Sequence, residues 1–546
     1  MKGSPKLSLI RRALRGLRVN AGFVARIGWR WFSALEYAWH LVFWSRLASM
    51  RRRRKPIILT QRQLANKGVH VPAPTLTVTG LPEGEAFTEG FSGVYAYLFG
   101  NLQKPGLLAS VRHVRPGPAF RGIYLWDSAF IARVWQDWDP AVSRDALRAV
   151  VEVRDGERLQ HVCADLVKSP FTQPPLIGWS AVRAVTDAPP AQRVAFFEEV
   201  YPAIADFHRW LAENRCHENG LYFWKHAYES GMENAPRFSN TDETRLLDTR
   251  QQAAPDFAVY VTLQLEALET MARELNRPED ARAWRAERDH LAATVNAELW
   301  DEADGLYYDR DTATGDLIRC PTIASLLPLW AGIPDAARAA RLVQWIERAD
   351  GFGTPMPLPT VARGHPSFER DMWRGPVWLN TAYGVIEGLR RCGYDALAGK
   401  LAYRLCQCVY LVFHTERRFY EFYDPDLLHT LQLRRKQGNN WKALTLGTGP
   451  QTAFVGWTGL VNRLVVEVLF GLRVADGQLT LRPRFPIHAA GGSFTLTLPR
   501  HGAEVTLQPN ADGSHGLSAT IADVKYSKKI AVGDAWTAAL PQPSVD

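Results

Sequence analysis

The sequence has few cysteines, and this scarcity excludes two classes of protein. Six cysteines occur among 546 residues, and none belongs to a CxxC pair. A small scaffold held by disulfides and a structural zinc site both need denser, paired cysteines. The sequence also shows no His pair at zinc spacing and no acidic calcium-loop pattern. We therefore expect neither a metal nor a cofactor.

Acidic residues are nearly missing from the first tenth of the chain. Residues 1–55 hold 14 Lys and Arg but one acid, Glu36, which gives a net charge of +13. The remainder holds 51 basic and 55 acidic residues, so the overall charge of +9 comes entirely from the N-terminus. A nucleic-acid-binding domain needs a basic face. No nucleic-acid partner is therefore expected for the main body.

A long apolar run is missing from this basic segment. Residues 22–49 carry apolar side chains at helical spacing, but Arg26, Arg30, Glu36 and His40 interrupt them. These interruptions disfavour both a membrane span of about 20 residues and a secretory signal. An aromatic, amphipathic helix between Arg clusters suits the surface of an anionic bilayer, and the Arg run at 51–54 favours a cytoplasmic, peripheral placement on its inner face. Two alternatives stay open, namely packing on the main domain and binding of nucleic acid or another acidic partner.

Helical patterns dominate the rest of the chain up to residue 470. Few strand patterns occur there, which disfavours a doubly wound α/β fold, and about a dozen helices with alternating short and long loops fit a helical toroid. After residue 471, period-two alternation with Gly and Asn turns predicts a small antiparallel β domain. The predicted organisation is a basic amphipathic segment (1–68), a linker (69–84), a mainly α domain (85–470) and a C-terminal β domain (471–546). The predicted helices are 127–153, 191–215, 252–275, 278–299, 335–349, 377–391, 394–413 and 452–470.

Five loop segments combine carboxylates or amides with Trp or Tyr beside Gly or Pro. Carboxylates bind hydroxyl pairs and move protons, aromatic rings stack on sugar faces, and Gly and Pro fix loops. Any single segment could instead be structural. For example, Asp127 fits a helix N-cap, and Pro376 fits the start of a helix. All five in one chain favour a carbohydrate site. The segments are residues 124–130, 173–179, 228–237, 372–380 and 419–425.

In these segments the sequence resembles the trehalase-like glycosidases with an (α/α)6 barrel. It is most similar to glycoside hydrolase family 63, and within it to the bacterial mannosylglycerate and glucosylglycerate hydrolase type, over residues 85–470. The resemblance implies an inverting, exo-acting hydrolase of an α-glucoside or α-mannoside, with Glu233 as general acid and Glu421 as general base. It places substrate contacts at Tyr124, Trp126, Asp127, Gln173, Trp179, Glu229, Arg237, Trp373, Arg374, Trp378, Asn380 and Tyr423.

The chain departs from this family where the general-acid Asp is replaced by Glu233. The longer side chain reaches about 1.5 Å further, and a misplacement of about 1 Å can cost about 100-fold in rate. Three alternatives follow: a repositioned backbone that restores activity, a different substrate, or a catalytically silent carbohydrate-binding protein tethered at a membrane surface. A retained carboxylate favours an active hydrolase. Lyase or epimerase chemistry would recruit His bases, and only His226 lies near these segments.

An inverting mechanism needs one protonated and one ionised carboxyl, so the two environments must differ. Met232 and Ala235 flank Glu233, and this apolar setting predicts a raised pKa through desolvation. Tyr420 and Tyr423 lie on either side of Glu421. We expect their hydroxyls to donate hydrogen bonds to the ionised carboxylate.

Overall fold

Six helices form a closed inner ring in the computed structural model, which describes residues 59–164, 167–238, 248–435 and 446–540. Each inner helix contacts the next and the sixth contacts the first, so the predicted (α/α)6 toroid is confirmed. Residues 1–58 of the predicted basic segment lie outside the described residues. The inner helices are Leu125–Trp135, Ile177–Ala184, Pro255–Glu274, Pro328–Ala331, Leu379–Arg391 and Leu460–Arg463, the last continued by the π-helix Leu464–Leu469.

A second layer of helices surrounds the ring, and burial separates the two layers. Every residue of the inner helix Leu125–Trp135 is buried, whereas the outer helix Pro278–Glu298 buries only Ala281, Leu291 and Val295. Short loops join most inner helices to an outer neighbour, which makes the pair antiparallel. The inner helices therefore run in one direction. The outer helices are Gly84–Asn101, Pro140–Glu152, Pro190–Arg215, Pro278–Glu298, Ala336–Glu347 and Asp395–Glu416, and a short helix, Gln61–Ala65, precedes them.

Proline marks the start of several helices because its missing N–H and fixed φ suit the first helical position. At Pro140 the preceding Asp139 also caps the helix, accepting hydrogen bonds from the N–H groups of Ala141 and Val142 at 2.9 and 3.2 Å. The helix predicted at 127–153 is therefore two helices, with a break at Asp139. The helices predicted at 191–215, 252–275, 278–299, 335–349, 377–391 and 394–413 lie within three residues of the observed bounds.

Two helix predictions differ from the structure. The helix Gly84–Asn101 was not expected from the sequence because its glycines lower helix propensity. At Gly90 a Cβ would lie 2.2 Å from the Tyr410 ring, so glycine allows this helix to approach Asp395–Glu416 closely. The helix predicted at 452–470 begins only at Leu460, after a loop in which Ala453 has a φ of +57°.

One of the described helices, Asp395–Glu416, is long and apolar enough to cross a membrane by length and composition. In this protein 67% of its apolar window is buried among other elements. Such burial is typical of a core helix, and both Gly84–Asn101 and Leu379–Arg391 pack against it.

Two antiparallel sheets carry the predicted C-terminal β fold. The larger sheet consists of Thr75–Thr79, Ser493–Leu498, Ala503–Pro509, His515–Ile521 and Val524–Ile530 in that spatial order. Its edge strand lies inside the segment predicted as a linker, which corrects that prediction: Leu76 and Val78 alternate into the core, as a strand pattern requires. The second sheet consists of Arg473–Ala475, Gln478–Leu481 and Trp536–Ala539.

Short strands and most 3-10 turns lie in the loops between the toroid helices, while the turns Ile487–Ala489 and Pro499–His501 lie in the C-terminal β region. The N-terminal ends of the parallel inner helices, and the loops that lead into them, carry most of the predicted site residues. The short strands are Leu102–Gln103, His113–Val114, Ile123–Tyr124, Val162–Ala164, Val167–Lys168, Gln252–Ala253, Trp300–Asp301, Leu306–Tyr307, Asp309–Asp311 and Leu317–Ile318, and the 3-10 turns are Ala227–Ser230, Pro236–Phe238, Ile323–Ser325, Ile487–Ala489 and Pro499–His501.

Candidate active site

Four tryptophans form an aromatic floor at the N-terminal end of the inner ring. The Trp373 and Trp378 rings stack with centroids 3.8 Å apart. Trp457 lies 5.4 Å from Trp378 and 5.6 Å from Trp126, and Trp126 lies 6.3 Å from Trp373. Three inner-helix starts therefore meet at one aromatic surface. Indole faces of this kind are suited to packing against a sugar ring.

The loop that carries Glu233 is fixed against this floor on both sides. Gly231 has a φ of +72°, and a Cβ there would lie 2.4 Å from the Trp126 ring, so only glycine fits. On the other side, the backbone N–H of Trp373 donates to Oδ1 of Asn234 at 3.0 Å, and Nδ2 of Asn234 donates to the Asp371 carbonyl at 3.4 Å. Glu233, which is half-buried, is thus held beside Trp126 and Trp373.

Glu421 is 3% exposed and is bound by two donors. The Arg435 guanidinium forms an ion pair with its Oε2, and the Gln451 N–H donates to the same oxygen at 3.3 Å. Trp457 Nε1 donates to the Glu421 carbonyl at 2.8 Å, which ties this residue to the aromatic floor. Charged and amide donors of this kind bind a carboxylate in its ionised form.

The tyrosines beside Glu421 have other partners than expected. The Tyr420 hydroxyl donates to the Glu416 carboxylate, and the Tyr423 hydroxyl accepts from the Tyr420 N–H at 3.0 Å. Burial raises the pKa of both phenols. The carboxylate instead forms an ion pair with Arg435 and accepts a hydrogen bond from the Gln451 N–H, and Tyr423 positions the loop backbone.

Arg435 links the two predicted catalytic carboxyls. It is 4% exposed, and burial lowers the pKa of its guanidinium to about 10, while attraction to Glu233 acts in the opposite direction. Its Nε donates to the Gly449 carbonyl at 3.1 Å. A buried cation therefore pairs with Glu421 and attracts Glu233, so the setting of Glu233 is less apolar than its sequence neighbours indicate.

Asp127 is a buried carboxyl at the edge of the floor. It is 3% exposed, and burial raises its pKa to about 8. Within the described ranges no cation forms an ion pair with it. The helix-cap alternative does not hold, because the N-cap position belongs to Tyr124 and Asp127 is the third residue of the helix. Oδ1 lies 3.0 Å from the position a Cβ at Gly456 would take, so glycine leaves room for this carboxyl.

Two more predicted residues lie next to Trp126. Oε1 of Gln173 accepts a hydrogen bond from the backbone N–H of Trp126 at 3.4 Å, and Gln173 is 4% exposed. Tyr124 directly precedes the same helix and packs edge-on to Phe120 and His161. The Trp-Asp and Gln-Pro-Pro segments therefore lie next to each other in the folded chain.

Glu229 and Arg237, which are predicted substrate contacts, are turned into the protein. Glu229 is fully buried, and Arg215 donates to both of its oxygens at 2.8 and 2.9 Å. Arg237 is fully buried between Asp256 and Asp309, at 2.6 and 2.8 Å. Because both side chains are buried in ion pairs within the protein, we assign them to holding the loop that carries Glu233.

Three other predicted contacts have partners outside the four tryptophans. Arg374 pairs with the exposed Glu369 at 2.9 Å. Trp179 is 1% exposed within its inner helix and packs on Trp330 at 5.2 Å. Asn380 is 1% exposed and accepts from the neighbouring Thr381 N–H. None of these contacts reaches the four tryptophans.

The residues that sequence reasoning missed are Arg435, Gln451 and Trp457. Residues 449–459 repeat the mixture of Gly, Pro and aromatic residues that marked the five segments, and this signal identifies Trp457. Arg435 lies in a basic stretch without such a signal. In the part of the chain that the structure describes, no group of three His, Cys, Asp or Glu is placed to hold a metal ion.

Comparisons with known proteins identify relatives of this fold and site. Residues 121–427 match the model of the mannosylglycerate hydrolase MGH1-like glycoside hydrolase domain. A mannosylglycerate hydrolase of Thermus thermophilus is 29% identical over 393 residues, which cover 59% of this chain and 92% of that protein. A cytosolic neutral trehalase of Kluyveromyces lactis is 27% identical over 38% of this chain and 29% of its own length.

Among solved structures, a family 63 mannosylglycerate hydrolase of Thermus thermophilus, crystallised with Tris, superposes with a TM-score of 0.56 at 25% identity. The match covers 68% of this chain and 98% of that one. The matched family region includes both segments predicted to carry the acid and the base but ends before Arg435 and Trp457.

Proposed function

Because the chain belongs to the family of mannosylglycerate hydrolase MGH1-like glycoside hydrolases, we propose that it hydrolyses an α-linked glucoside or mannoside with inversion. It is a glycoside hydrolase with a carbohydrate substrate. The single observation that carries the proposal is a pair of carboxylates beside an aromatic floor, Glu421 and Glu233, which both interact with the buried Arg435.

In the proposed reaction Glu421 activates water. The water oxygen attacks the anomeric carbon from the face opposite the leaving group while its proton passes to the Glu421 carboxylate. Arg435 and the Gln451 N–H orient this carboxylate. Inversion requires the acid and the base to stand about 6.5–9.5 Å apart, with room for the water.

Glu233 is proposed to protonate the departing oxygen as the glycosidic bond breaks. Its loop is fixed by Gly231 against Trp126 and by Asn234 against Trp373, which supports a defined side-chain position. Arg435 attracts the ionised form of Glu233, and its ion pair with Glu421 offsets part of this positive charge, which leaves Glu233 easier to protonate than beside an unpaired guanidinium. Solvent exchange returns both carboxyls to their starting states.

The sugar subsite is proposed to consist of Trp126, Asp127 and Gln173, whereas the Trp378 ring stacks on Trp373 at 3.8 Å and on Phe422 at 4.8 Å and supports the aromatic floor. The Trp126 indole is proposed to pack against the sugar, and the buried Asp127 carboxyl to bind hydroxyls. A sugar hydroxyl that donates to Asp127 would stabilise the ionised carboxylate, which lacks a cation among the described residues. Sugar binding would then lower the pKa of Asp127 from about 8 and release a proton.

The substrate class is proposed to be glycosylglycerates, trehalose-like disaccharides or small oligosaccharides, since the similar proteins are mannosylglycerate hydrolases and a trehalase. A cytoplasmic location is proposed on the same grounds and on the low cysteine content. The catalytically silent binding protein is not favoured, because both carboxylates are retained beside the aromatic floor.

A substrate screen tests this proposal. Mannosylglycerate, glucosylglycerate and trehalose would each be incubated with the wild-type protein, Glu421→Gln and the control Glu347→Gln. We expect hydrolysis of at least one substrate by the wild type and by the control, whose glutamate is exposed and remote in sequence from both catalytic segments. Equal hydrolysis by the Glu421→Gln protein would contradict the assignment of the base.

For residues 1–55 we propose a role at an anionic membrane surface, on the strength of their +13 charge and aromatic helical pattern. Full-length protein should sediment with anionic vesicles and release as salt rises, because exposed charge is screened. Replacing Arg51–Arg54 by Gln should weaken sedimentation. Retention on vesicles at high salt or absence of any binding would each reject this placement.

A further inference from the structure

A cavity lies at the end of the inner ring opposite the candidate active site. Its volume is about 390 Å³, which falls in the range of small-molecule sites. The last turns of three inner helices contribute Arg133, Arg183 and Arg390, and the C-terminal β region contributes Arg473 and His501. None of these residues belongs to the proposed catalytic pair or to the proposed sugar subsite. We refer to this space as the distal cavity.

Four carboxylates line the distal cavity, and each is already bound by an arginine other than Arg183 or Arg473. Oε2 of Glu467 accepts hydrogen bonds from Arg133 and Arg463 at 2.9 Å each. The acidic residues of the lining are therefore paired within the protein. The other three pairs are Asp137 with Arg463, Asp187 with Arg500 and Glu266 with Arg391.

Arg183 is a half-buried cation without a carboxylate partner in the described part of the chain. One of its N–H groups donates to the Trp179 carbonyl at 3.3 Å, and its guanidinium lies 4.8 Å from the centre of the Trp179 ring. The Arg133 guanidinium lies 5.4 Å from the same ring centre. Burial, followed by repulsion from Arg133, lowers the pKa of Arg183, while attraction to Glu387 acts in the opposite direction.

The position of Arg183 in the last turn of its helix explains only part of its role. A cation there stabilises the negative end of the helix. A guanidinium carries five N–H donors, however, and the bond to the Trp179 carbonyl uses one of them. The remaining donors of Arg183 are therefore available to an acceptor inside the distal cavity.

Arg473 and His501 add further donors from the β region. Arg473 is exposed, and its side chain forms no ion pair within the described ranges. Burial, followed by repulsion from Arg500, lowers the pKa of His501 to about 4, so its imidazole is neutral near pH 7 and has one N–H to donate. Leu263 and Leu498, each 1% exposed, line the same space. The lining thus combines cations and a neutral donor with apolar surface.

We propose that the distal cavity binds a small organic anion, whose carboxylate or phosphate group is held by Arg183 and Arg473. The planar guanidinium matches both groups, because it can donate two parallel N–H bonds to their oxygens. An anion beside Arg183 would also offset the cost of partly burying its charge next to Arg133. Leu263 and Leu498 would contact the organic part of the ligand. This site goes beyond the proposed hydrolysis, since it needs neither proposed catalytic carboxylate.

Calorimetric titration of the full chain tests this proposal with two probes of similar size. L-malate carries carboxylates, and glycerol 3-phosphate carries a phosphate. The variant is Arg183→Gln, which removes the charge and keeps a polar side chain. The matched control is Arg62→Gln, which removes an exposed arginine of the helix Gln61–Ala65, outside the cavity lining. A second variant, Arg473→Gln, changes an exposed residue and decides the test if Arg183→Gln does not fold.

We expect saturable binding of at least one probe, weakened about 10-fold or more by Arg183→Gln and less than about twofold by Arg62→Gln, because charge-assisted hydrogen bonds are lost only in the first. Arg473→Gln should also weaken binding. Binding of malate alone identifies a carboxylate ligand, binding of glycerol 3-phosphate alone a phosphate ligand, and binding of both a site that accepts either group.

The active-site carboxylates and residues 1–58 are unchanged in every variant, so a loss with Arg183→Gln belongs to the distal cavity. A bound anion should also raise the Tm of the wild type and of Arg62→Gln, since it binds only the folded protein. The proposal is overturned if neither probe binds, or if Arg183→Gln, or Arg473→Gln in its place, binds as tightly as the control.

Discussion

Replacement of Asp127 by Asn is expected to stabilise the free protein while it weakens the enzyme. Asp127 is buried, and burial raises its pKa from an ordinary value near 3.8 to about 8. Above pH 4 the unfolded chain ionises this carboxyl freely, whereas the folded protein resists ionisation. Its contribution to stability is therefore greatest at low pH and falls as pH rises from about 4 to about 8.

The size of this effect follows from the two pKa values. At pH 7 the destabilisation is about 4 kcal/mol, and at pH 5 it is about 2 kcal/mol. Asn has nearly the same shape and does not ionise, so Asp127→Asn removes this pH-dependent term. The variant should therefore unfold at higher denaturant concentration than the wild type at pH 7, and the difference should shrink toward pH 5.

Denaturant unfolding between pH 5 and pH 8 checks this prediction, with Asp139→Asn as the matched control. Asn caps a helix about as well as Asp, so the control should change little at any pH. At the same time kcat/KM of Asp127→Asn should fall because sugar hydroxyls lose a carboxylate partner. A variant that is less stable than the wild type at pH 7, or a difference in stability that does not depend on pH, would refute the reasoning.

Three further predictions concern the carboxylates around Arg435 and Arg215. Glu421→Gln should lower kcat by about 10²–10⁴-fold, the usual contribution of a general base, and kcat near the wild-type value would remove Glu421 from the mechanism. Glu233→Gln should lose most activity on substrates with poor leaving groups and less activity on an activated aryl glycoside. Glu233→Asp should be slower than the wild type if the site is spaced for Glu. A faster Asp variant would indicate a decayed site. Glu229→Gln should lower the free energy of unfolding by about 3–5 kcal/mol, because it leaves the buried Arg215 without its charge partner; denaturant titration measures this, and unchanged stability would contradict the structural role.

The long helices were predictable because their apolar spacing and proline starts are local signals. The helix Pro278–Glu298, predicted at 278–299, illustrates this. The helix Gly84–Asn101 escaped prediction because Gly90 and Gly93 are explained only by the rings of Tyr410 and Phe413, more than 300 residues away. The strand Thr75–Thr79 likewise depends on a partner strand near residue 495.

The site was predictable as a set of segments, but the direction of each side chain was not. Glu229 and Glu233 lie four residues apart in one segment, yet the 3-10 turn Ala227–Ser230 aims Glu229 at Arg215. Arg435 could not be identified because its role depends on Glu421 and Glu233, which meet only in the folded chain.

The most direct test of the proposed mechanism is the anomer that the enzyme releases first. Proton NMR during hydrolysis of an α-mannosyl or α-glucosyl glycerate would follow the anomeric signals before mutarotation. Water activated by Glu421, attacking opposite the leaving group that Glu233 protonates, predicts initial release of the β-anomer. Initial release of the α-anomer would contradict the inverting assignment of these two carboxylates.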